Sequence, residues 1–237
     1  MFTNRYIFTY ATIMIIIVAS ILATAANILK PFQDNNVKVE KIKNILSVAD
    51  VLDADKSYTA EEYDQIYLET ITDEFVVNTK GEINKEEKAF NINLAEEQRK
   101  AIGEQKLPVF IASMPDGSKK YIIPVRGKGL WGPVWGFLSV SGDGRTVLGA
   151  NFGHKGETPG LGAEIDKPKF GNQFIDKQIF DDEGKFTSIK VVKGGALPGD
   201  KHGVDAISGG TITCVGVSDM LFDCLSGYEA YFKNLEN

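Results

Sequence analysis

The stretch DAISGGTITC, residues 205–214, holds two adjacent glycines, with Ser208 before them and Thr211 and Thr213 after them. An apolar segment with helical spacing follows and predicts a helix over residues 213–235. The first turn of a helix has unsatisfied backbone N–H groups and the positive end of the helix dipole, so it attracts anions. The residue types therefore leave two interpretations open, a phosphate site or a helix cap.

Glycines are concentrated in three parts of the chain. The first glycine cluster is RGKGLWGPVWG (residues 126–136), the second is GHKGETPGLG (153–162) and the third is DAISGGTIT (205–213). Glycine lets the backbone adopt positive φ or approach a ligand closely. A tight turn explains any one cluster, but three in one domain, two of them with hydroxyl and charged side chains, favour a ligand site. A P-loop sequence is not present.

Other residue types that could do chemistry are few. His154 and His202 are interpreted as hydrogen-bonded or solvent-facing side chains rather than catalysts. Cys214 and Cys224 lie ten residues apart in one predicted helix, about 15 Å along its axis, which excludes a disulfide between them within that helix. Two cysteines are too few for an all-cysteine zinc or iron–sulfur site, so both are predicted to be small buried side chains. A hydrolase with Ser208 as nucleophile would need a G-x-S-x-G sequence, which is not present.

The elements that would position the clusters are mainly strands. Apolar segments separated by the turns MPDG and SGDG predict an antiparallel sheet with strands over residues 108–113, 120–125, 134–140 and 145–152. A short helix is predicted over residues 169–178 and a further strand over 185–194. The regular alternation of strands and helices that a doubly wound sheet needs is absent. The predicted fold class is therefore α+β, an antiparallel-sheet domain with a C-terminal helix.

The N-terminal part of the chain predicts a membrane span. Residues 6–29 are a run of 24 residues without a charge, bracketed by Arg5 and Lys30. As a helix this run is about 36 Å long, enough to cross a hydrocarbon core of roughly 30 Å. A cleaved signal peptide is the alternative, with a possible A-T-A cleavage site at residues 23–25, but the run exceeds the usual apolar region of such peptides. We therefore predict a single uncleaved transmembrane helix.

Three regions are predicted along the chain. They are a transmembrane anchor over residues 1–30, a helical or mixed membrane-proximal region over 31–100, and a domain with the glycine clusters over 101–237. The second region has amphipathic helical spacing over residues 34–52 and polar sequence over 75–93. The net charge of −6 argues against nucleic acid as a partner, because phosphate binding needs a basic face.

The glycine clusters resemble the motifs of a known family. The third cluster closely resembles D-x-x-S-G-A-T-x-T, the motif at which FMN is attached to a threonine through a phosphoester bond. The second contains the E-T-P-G-L-G loop of the same proteins, and the sequence GLWGPVWGFLSV resembles a segment typical of one branch. With the N-terminal span, these motifs resemble the covalent FMN-binding C subunits of the Na⁺-translocating NADH:quinone oxidoreductases. The resemblance is strongest over residues 126–217 and weakest over residues 34–93.

The resemblance implies which residues hold the flavin. Thr211 aligns with the threonine that carries FMN. The other implied site residues are Asp205, Ser208, Gly209, Gly210 and Thr213 in the third cluster, Glu157, Thr158, Pro159, Gly160, Leu161 and Gly162 in the second, and Leu130 and Trp131 in the first. The sequence departs from the motif at Gly210, where alanine is usual; the loss of one methyl group is expected to keep the attachment geometry. Glu157 is interpreted as an acceptor that fixes its loop or a flavin N–H, and Trp131 as the better candidate than Trp135 to pack on the flavin ring.

The resemblance also implies a function. FMN on Thr211 would accept electrons from an iron–sulfur centre and pass them to the flavin of a neighbouring membrane subunit. Activity is expected only as part of the Na⁺-translocating reductase complex. The implied partners are the other subunits, the membrane and, for maturation, an FAD:protein FMN transferase that uses Mg²⁺. The family places the flavin domain on the outer face of the cytoplasmic membrane, whereas the lysines after the span alone lean toward a cytoplasmic domain.

Two other functions stay open from the sequence. The homologous flavin subunit of Rnf-type ferredoxin:NAD⁺ oxidoreductases shares the E-T-P-G-L-G and S-G-x-T motifs, although the segment GLWGPVWG favours the sodium-pumping family. A membrane-anchored binding module without a redox centre would use the sequence SGGT only as a helix cap.

Overall fold

The computed structural model describes residues 3–53 and 55–235. The chain divides into two compact units, Met1–Ile42 and Lys43–Asn237. Helix α1 (Asn4–Ala49) contributes to both, because it begins in the first unit and ends in the second.

The first unit consists of α1 up to Ile42. Large apolar side chains such as Ile15 and Leu22 are exposed along it, a surface that is unfavourable in water and suits a hydrocarbon layer. Among the described residues, α1 is the one helix long and apolar enough to cross a membrane. The amphipathic stretch predicted over residues 34–52 is continuous with this helix and stays helical as far as Ala49.

The main sheet of the second unit has six antiparallel strands in the order β2-β1-β3-β4-β5-β6. Their bounds are β1 Ile71–Val77, β2 Ile83–Asn84, β3 Leu107–Ser113, β4 Lys119–Lys128, β5 Pro133–Val140 and β6 Val147–His154. Consecutive hairpins join β3, β4, β5 and β6, as the apolar segments and turn sequences predict. The predicted antiparallel-sheet fold with a C-terminal helix is therefore confirmed.

The remaining elements surround this sheet. Two short parallel strands are β7 Lys190–Val192 and β8 Gly203–Asp205. The other α-helices are α2 Ala60–Thr70, α3 Leu94–Glu97, α4 Pro168–Gly171, α5 Thr211–Gly227 and α6 Glu229–Leu235. Single 3₁₀ turns occupy Ala89–Asn91, Ile102–Glu104, Gly162–Asp166 and Asn172–Phe174.

Alternate side chains of the sheet enter two hydrophobic cores. On one face, Ile122 of β4 packs in a cluster with Ile45 and Ala49 from the end of α1. On the other face, Ile123 belongs to a larger cluster that includes Leu221 of α5. Each such buried aliphatic side chain contributes about 1.5–3 kcal/mol of transfer free energy. The sheet therefore holds α5 in a fixed position against β4.

The sequence pattern does not predict β1. This strand follows α2 without a loop and runs into the region interpreted as polar irregular chain. Asp73 and Glu74 interrupt its apolar pattern, and both are used in the fold. Asp73 binds the ammonium group of Lys85, and Glu74 accepts a hydrogen bond from the backbone N–H of Phe90 at 2.9 Å.

Three elements near the C-terminus differ from the predictions. The predicted helix over residues 213–235 begins two residues earlier and is divided at Tyr228, whose buried hydroxyl donates to the Pro108 carbonyl at 2.9 Å. The helix predicted over residues 169–178 is reduced to α4 and the 3₁₀ turn after it. The strand predicted over residues 185–194 is reduced to β7 and pairs in parallel with β8. These elements are fixed by contacts with residues far away in the sequence, and the local spacing of apolar residues does not predict such contacts.

Candidate functional site

The three glycine clusters meet at one end of the sheet. The first contains the turn between β4 and β5, and the second begins at the end of β6; Val134 pairs with His154 across these two strands. The third cluster leads from β8 into the first turn of α5. Gly216 of α5 lies against the backbone of this turn, because a Cβ on it would collide with the Lys128 carbonyl oxygen and approach Gly129 Cα to 3.5 Å. Residues that are far apart in the sequence thus become neighbours.

One buried carboxylate joins the three clusters. Glu157 Oε2 accepts a hydrogen bond from the hydroxyl of Thr213 at 2.6 Å. Glu157 Oε1 accepts one from the backbone N–H of Trp131 at 2.9 Å. Glu157 is 5% exposed and Thr213 is 1% exposed, so the bond between these two side chains is shielded from bulk water. The carboxylate is aimed by its own backbone, whose N–H donates to His154 Nδ1 at 3.1 Å.

Two glycines make room for this carboxylate. A Cβ on Gly129 would stand 2.5 Å from Glu157 Oε1. A Cβ on Gly162 would stand 2.7 Å from Glu157 Oε2 and closer still to the Thr213 hydroxyl oxygen. Real Cβ atoms do not approach oxygen so closely, so both positions need glycine for close approach rather than for backbone freedom.

The three hydroxyl groups of the third cluster have different surroundings. Thr213 is buried and bound to Glu157. Ser208 is exposed in the loop before α5. Thr211 is half-buried and is the first residue of the helix; within the described residues its hydroxyl makes no side-chain hydrogen bond. The N-cap is Gly210, and no side-chain cap hydrogen bond forms there among the described residues, so the helix-cap interpretation is wrong for these hydroxyls.

Leu161 of the second glycine cluster lies against Gly209 of the third. A Cβ on Gly209 would stand 2.5 Å from Leu161 Cδ2, and Gly209 has a φ of +76°, so both space and backbone require glycine. The Thr158 carbonyl accepts from the backbone N–H of Leu161 at 3.1 Å and fixes the loop. Gly160 donates its backbone N–H to Glu164 at 3.0 Å. Pro159 lies exposed between them. Large apolar side chains are exposed at this end of the sheet: Leu130, Trp131, Leu161, Ile212 and Val215.

Asp205 has a role that the sequence does not indicate. Its carboxylate accepts a hydrogen bond from the Ala196 backbone N–H at 2.8 Å, and its own N–H donates to Gln173 at 2.8 Å. The first bond holds the loop between β7 and β8 against β8, and the second joins β8 to the 3₁₀ turn Asn172–Phe174. The structure therefore brings Asp205 into contact with this loop and not with the hydroxyl of Thr211.

Cysteine and histidine side chains hold segments in place. Ile207 donates its N–H to the sulfur of Cys214 at 3.3 Å, which ties the third cluster to α5; no sequence signal points to this pair. Burial raises the pKa of the Cys214 thiol, and it raises the pKa of Cys224 to about 11, so both are neutral thiols at physiological pH. Both cysteines are free; Cys214 is buried, as predicted, whereas Cys224 is half-buried. His202 Nδ1 lies 2.8 Å from the Gln178 carbonyl oxygen, so it is a hydrogen-bonded side chain, as interpreted.

Gly210→Ala is expected to fold and to leave the site intact. Gly210 has a φ of −96°, which alanine adopts freely, and its Cβ would meet Gly162 and Ile207 at 3.3 Å, a tight but tolerable contact. Alanine is a poorer N-cap than glycine, but it lowers the entropy of the unfolded chain, so two effects of about 0.5–1 kcal/mol oppose each other. Urea unfolding should give a midpoint close to that of the unsubstituted chain. A loss above about 2 kcal/mol would mean that the contact with Gly162 is overpacked.

Comparisons with known proteins agree with this arrangement. The family model described as the FMN-binding domain matches residues 129–226, which include Glu157, Thr211 and Thr213. The C subunit of the Na⁺-translocating NADH-quinone reductase of Vibrio parahaemolyticus is 35% identical over 217 residues, covering 83% of this chain and 81% of that protein. The same subunit of Neisseria meningitidis is 33% identical over 236 residues, covering 94% and 90%.

A solved structure extends the comparison to the fold. The crystal structure of the corresponding C subunit from Parabacteroides distasonis superposes with a TM-score of 0.76 at 43% sequence identity, covering 86% of this chain and 96% of that one. Sequence and fold agree over most of both chains. The chain therefore belongs to the family of C subunits of the Na⁺-translocating NADH-quinone reductases and contains the FMN-binding domain of that family.

Proposed function

We propose that this chain carries FMN covalently on Thr211 and relays electrons within a Na⁺-pumping NADH:quinone oxidoreductase. The observation that carries the proposal is the position of Thr211: it is the first residue of a 17-residue helix inside the matched FMN-binding domain, and its hydroxyl bonds to no other side chain in the part of the chain that the structure describes. When bound, the FMN supplies one-electron redox chemistry. The protein contributes the attachment point, the surroundings of the ring and the anchor in the membrane.

The surroundings of the three hydroxyls favour Thr211 as the attachment point. Thr213 is buried, and its hydroxyl is already donated to Glu157. Ser208 is accessible, but it lies in the loop before α5, where the helix does not fix its direction. Of the three hydroxyl residues, Thr211 alone combines partial exposure with a place at the start of α5.

The residues around Thr211 suit a flavin phosphate and ring. The first N–H groups of α5 and its positive dipole end stabilise a phosphodiester charge by typically 0.3–1 kcal/mol. Gly209 and Gly210 add no side chains of their own beside Thr211. Exposed Leu161 and Trp131 offer apolar surface for a planar ring that would otherwise lie in water.

Attachment needs a second protein. The Thr211 oxygen would bond to the flavin-side phosphorus of FAD, the pyrophosphate P–O bond would break and AMP would leave, while the hydroxyl proton passes to a base. Among the described residues, neither histidine is hydrogen-bonded to Thr211. We therefore assign the base and the Mg²⁺ to an FAD:protein FMN transferase.

The relay requires partners on both sides of the flavin. We propose that electrons arrive from an iron–sulfur centre and leave to the flavin of a neighbouring membrane subunit. Helix α1 would hold the chain in the cytoplasmic membrane as a single span, with the flavin domain on the outer face. The exposed apolar side chains near Thr211 would face these partners.

Intact mass measurement tests the proposed attachment. The full chain is produced in cells with and without the FAD:protein FMN transferase and is then denatured. With the transferase, the mass should increase by one FMN, the gel band should fluoresce under ultraviolet light, and peptide mapping should find the flavin on the peptide that holds Thr211. An unlabelled chain from cells that make the active transferase would overturn the proposal.

Leu161→Ala is expected to change the flavin midpoint potential without preventing attachment. Leu161 is an exposed side chain whose Cδ2 lies over Gly209, so its removal opens that side of the site to water. Water stabilises the charge of the reduced flavin, and the potential should therefore rise. Leu68→Ala on α2 is the matched control, because it is the same substitution at a more exposed position, and it should leave the midpoint potential unchanged. Failed attachment in Leu161→Ala would instead assign this loop to recognition by the transferase.

A further inference from the structure

We infer that Glu157 is a positioning residue for flavin attachment, acting through its hydrogen bond to Thr213. This inference rests on the proposed attachment of FMN to Thr211. The Glu157–Thr213 bond fixes the rotation of the first turn of α5, so that Thr211 faces outward in the orientation that the transferase meets.

Helix geometry explains how a hydrogen bond at Thr213 can orient Thr211. Thr211 and Thr213 are two residues apart, so their side chains leave the helix axis about 200° apart. Thr213 is 1% exposed and bound inward at 2.6 Å, which directs Thr211 to the opposite side of the helix. The first turn of a helix is also the part that frays, because its N–H groups have no partners within the helix. A bond at the third residue of α5 therefore holds the turn that carries the attachment hydroxyl.

Glu157 places a polar side chain where there is little access to water. It is 5% exposed and, among the described residues, it forms no ion pair with a lysine or arginine. A buried carboxyl group without a neighbouring cation needs hydrogen-bond donors, here the hydroxyl of Thr213 and the N–H of Trp131. An apolar side chain would fill such a place at lower cost. The carboxylate is therefore explained by the positions it fixes rather than by stability.

The second carboxylate oxygen of Glu157 also fixes the position of the first glycine cluster. Oε1 accepts a hydrogen bond from the Trp131 N–H. The loop that carries the exposed Trp131 ring and the start of α5 are therefore held by the same side chain. A Cβ on Gly129 or on Gly162 would collide with an oxygen of this carboxylate, so both loops pack closely against Glu157. One side chain thereby sets the relative position of the attachment residue and a ring-packing residue.

Paired substitutions at Thr213 separate positioning from stability. Thr213→Val keeps the side-chain shape but removes the donor, and Thr213→Ser keeps the donor. Glu157→Gln keeps both contacts without charge, because its amide oxygen can accept from Trp131 and its NH₂ can donate to Thr213. Tyr228→Phe removes another buried hydrogen bond, at the junction of α5 and α6, and serves as the stability control.

The measurement is the transferase kcat/KM toward each full-length chain in detergent, with FAD and Mg²⁺, beside its thermal midpoint. Thr213→Val should lower kcat/KM by about tenfold or more, the size expected for a misplaced reacting group. Thr213→Ser and Glu157→Gln should stay within about threefold of the unsubstituted chain, since the bond is kept. Tyr228→Phe should lower the midpoint but not kcat/KM.

Three outcomes would overturn a proposal. Unchanged kcat/KM in folded Thr213→Val overturns the positioning role. If Thr213→Val does not fold, Glu157→Asp replaces it, because the shorter side chain cannot reach both partners; an unchanged kcat/KM in that folded variant overturns the role equally. An unsubstituted chain that takes no flavin overturns the proposed attachment itself, and so the two failures are distinguishable.

Discussion

Thr211→Val should carry no covalent flavin, whereas Thr211→Ser should retain part of it. Valine has the shape of threonine but no oxygen, so no phosphoester can form. Serine keeps the hydroxyl and loses only the methyl group that restricts its rotamers, so attachment should be slower. The hydroxyl of Thr211 makes no hydrogen bond to another described side chain, and the stability change should therefore stay within about 0.5 kcal/mol.

Intact mass and in-gel fluorescence of the two variants, produced with the transferase, provide the measurement. Thr211→Ser is the control for Thr211→Val, because both changes are conservative and only the change to valine removes the nucleophile. Urea unfolding of each apo chain shows whether the fold is retained. Equal labelling of the two variants would mean that the flavin is attached elsewhere, and Ser208 would then be the first position to map.

Gly162→Ala is expected to destabilise the domain and to block flavin attachment. The new Cβ would stand 2.7 Å from Glu157 Oε2 and closer to the Thr213 oxygen, so it would break the bond between them or displace the loop. Overpacking of this kind typically costs about 1–3 kcal/mol, and a buried unsatisfied partner adds about 1–3 kcal/mol. The substitution therefore acts on fold and site together.

Gly156→Ala is the matched control for this substitution. It lies in the same glycine cluster, its φ is not positive, and a Cβ there meets nothing within 4 Å. Denaturant unfolding should show a lower midpoint for Gly162→Ala and little change for Gly156→Ala, and only the first should lose flavin in the mass spectrum. Normal flavin content in Gly162→Ala would show that the loop relaxes without disturbing Thr213.

The sequence predicts the sheet better than the elements around it. Strands β3 to β6 are joined by short hairpins, so each pairing is encoded by neighbouring residues. The pairing of β7 with β8 and the position of β1 depend on partners far along the chain, and the predictions miss them. The start of α5 is missed by two residues because Thr211 and Ile212 lack the apolar spacing of the core residues after them.

In the candidate site, too, local features are predicted from the sequence and long-range contacts are not. The glycine clusters indicate close approach, and the structure shows which atoms approach at Gly129 and Gly162. The partnership of Glu157 with Thr213 spans 56 residues and has no local signature. Asp205 belongs to the motif by sequence, yet its hydrogen bonds hold the loop between β7 and β8 and the 3₁₀ turn Asn172–Phe174. Motif membership therefore identifies the region, and the roles of individual residues come from the contacts.

The separation of Thr211 from the hydrophobic core bears on the biogenesis of the chain. The side chains that hold α5 to the sheet, such as Val217, Leu221 and Leu225, lie beyond its first turn. These core contacts lie outside the first turn that holds Thr211, so we expect the domain to complete its folding before a flavin is attached. Loading would then be a late maturation step on a finished scaffold, timed by the supply of flavin and transferase. A cell short of riboflavin would accumulate a stable, inactive reserve rather than a misfolded chain.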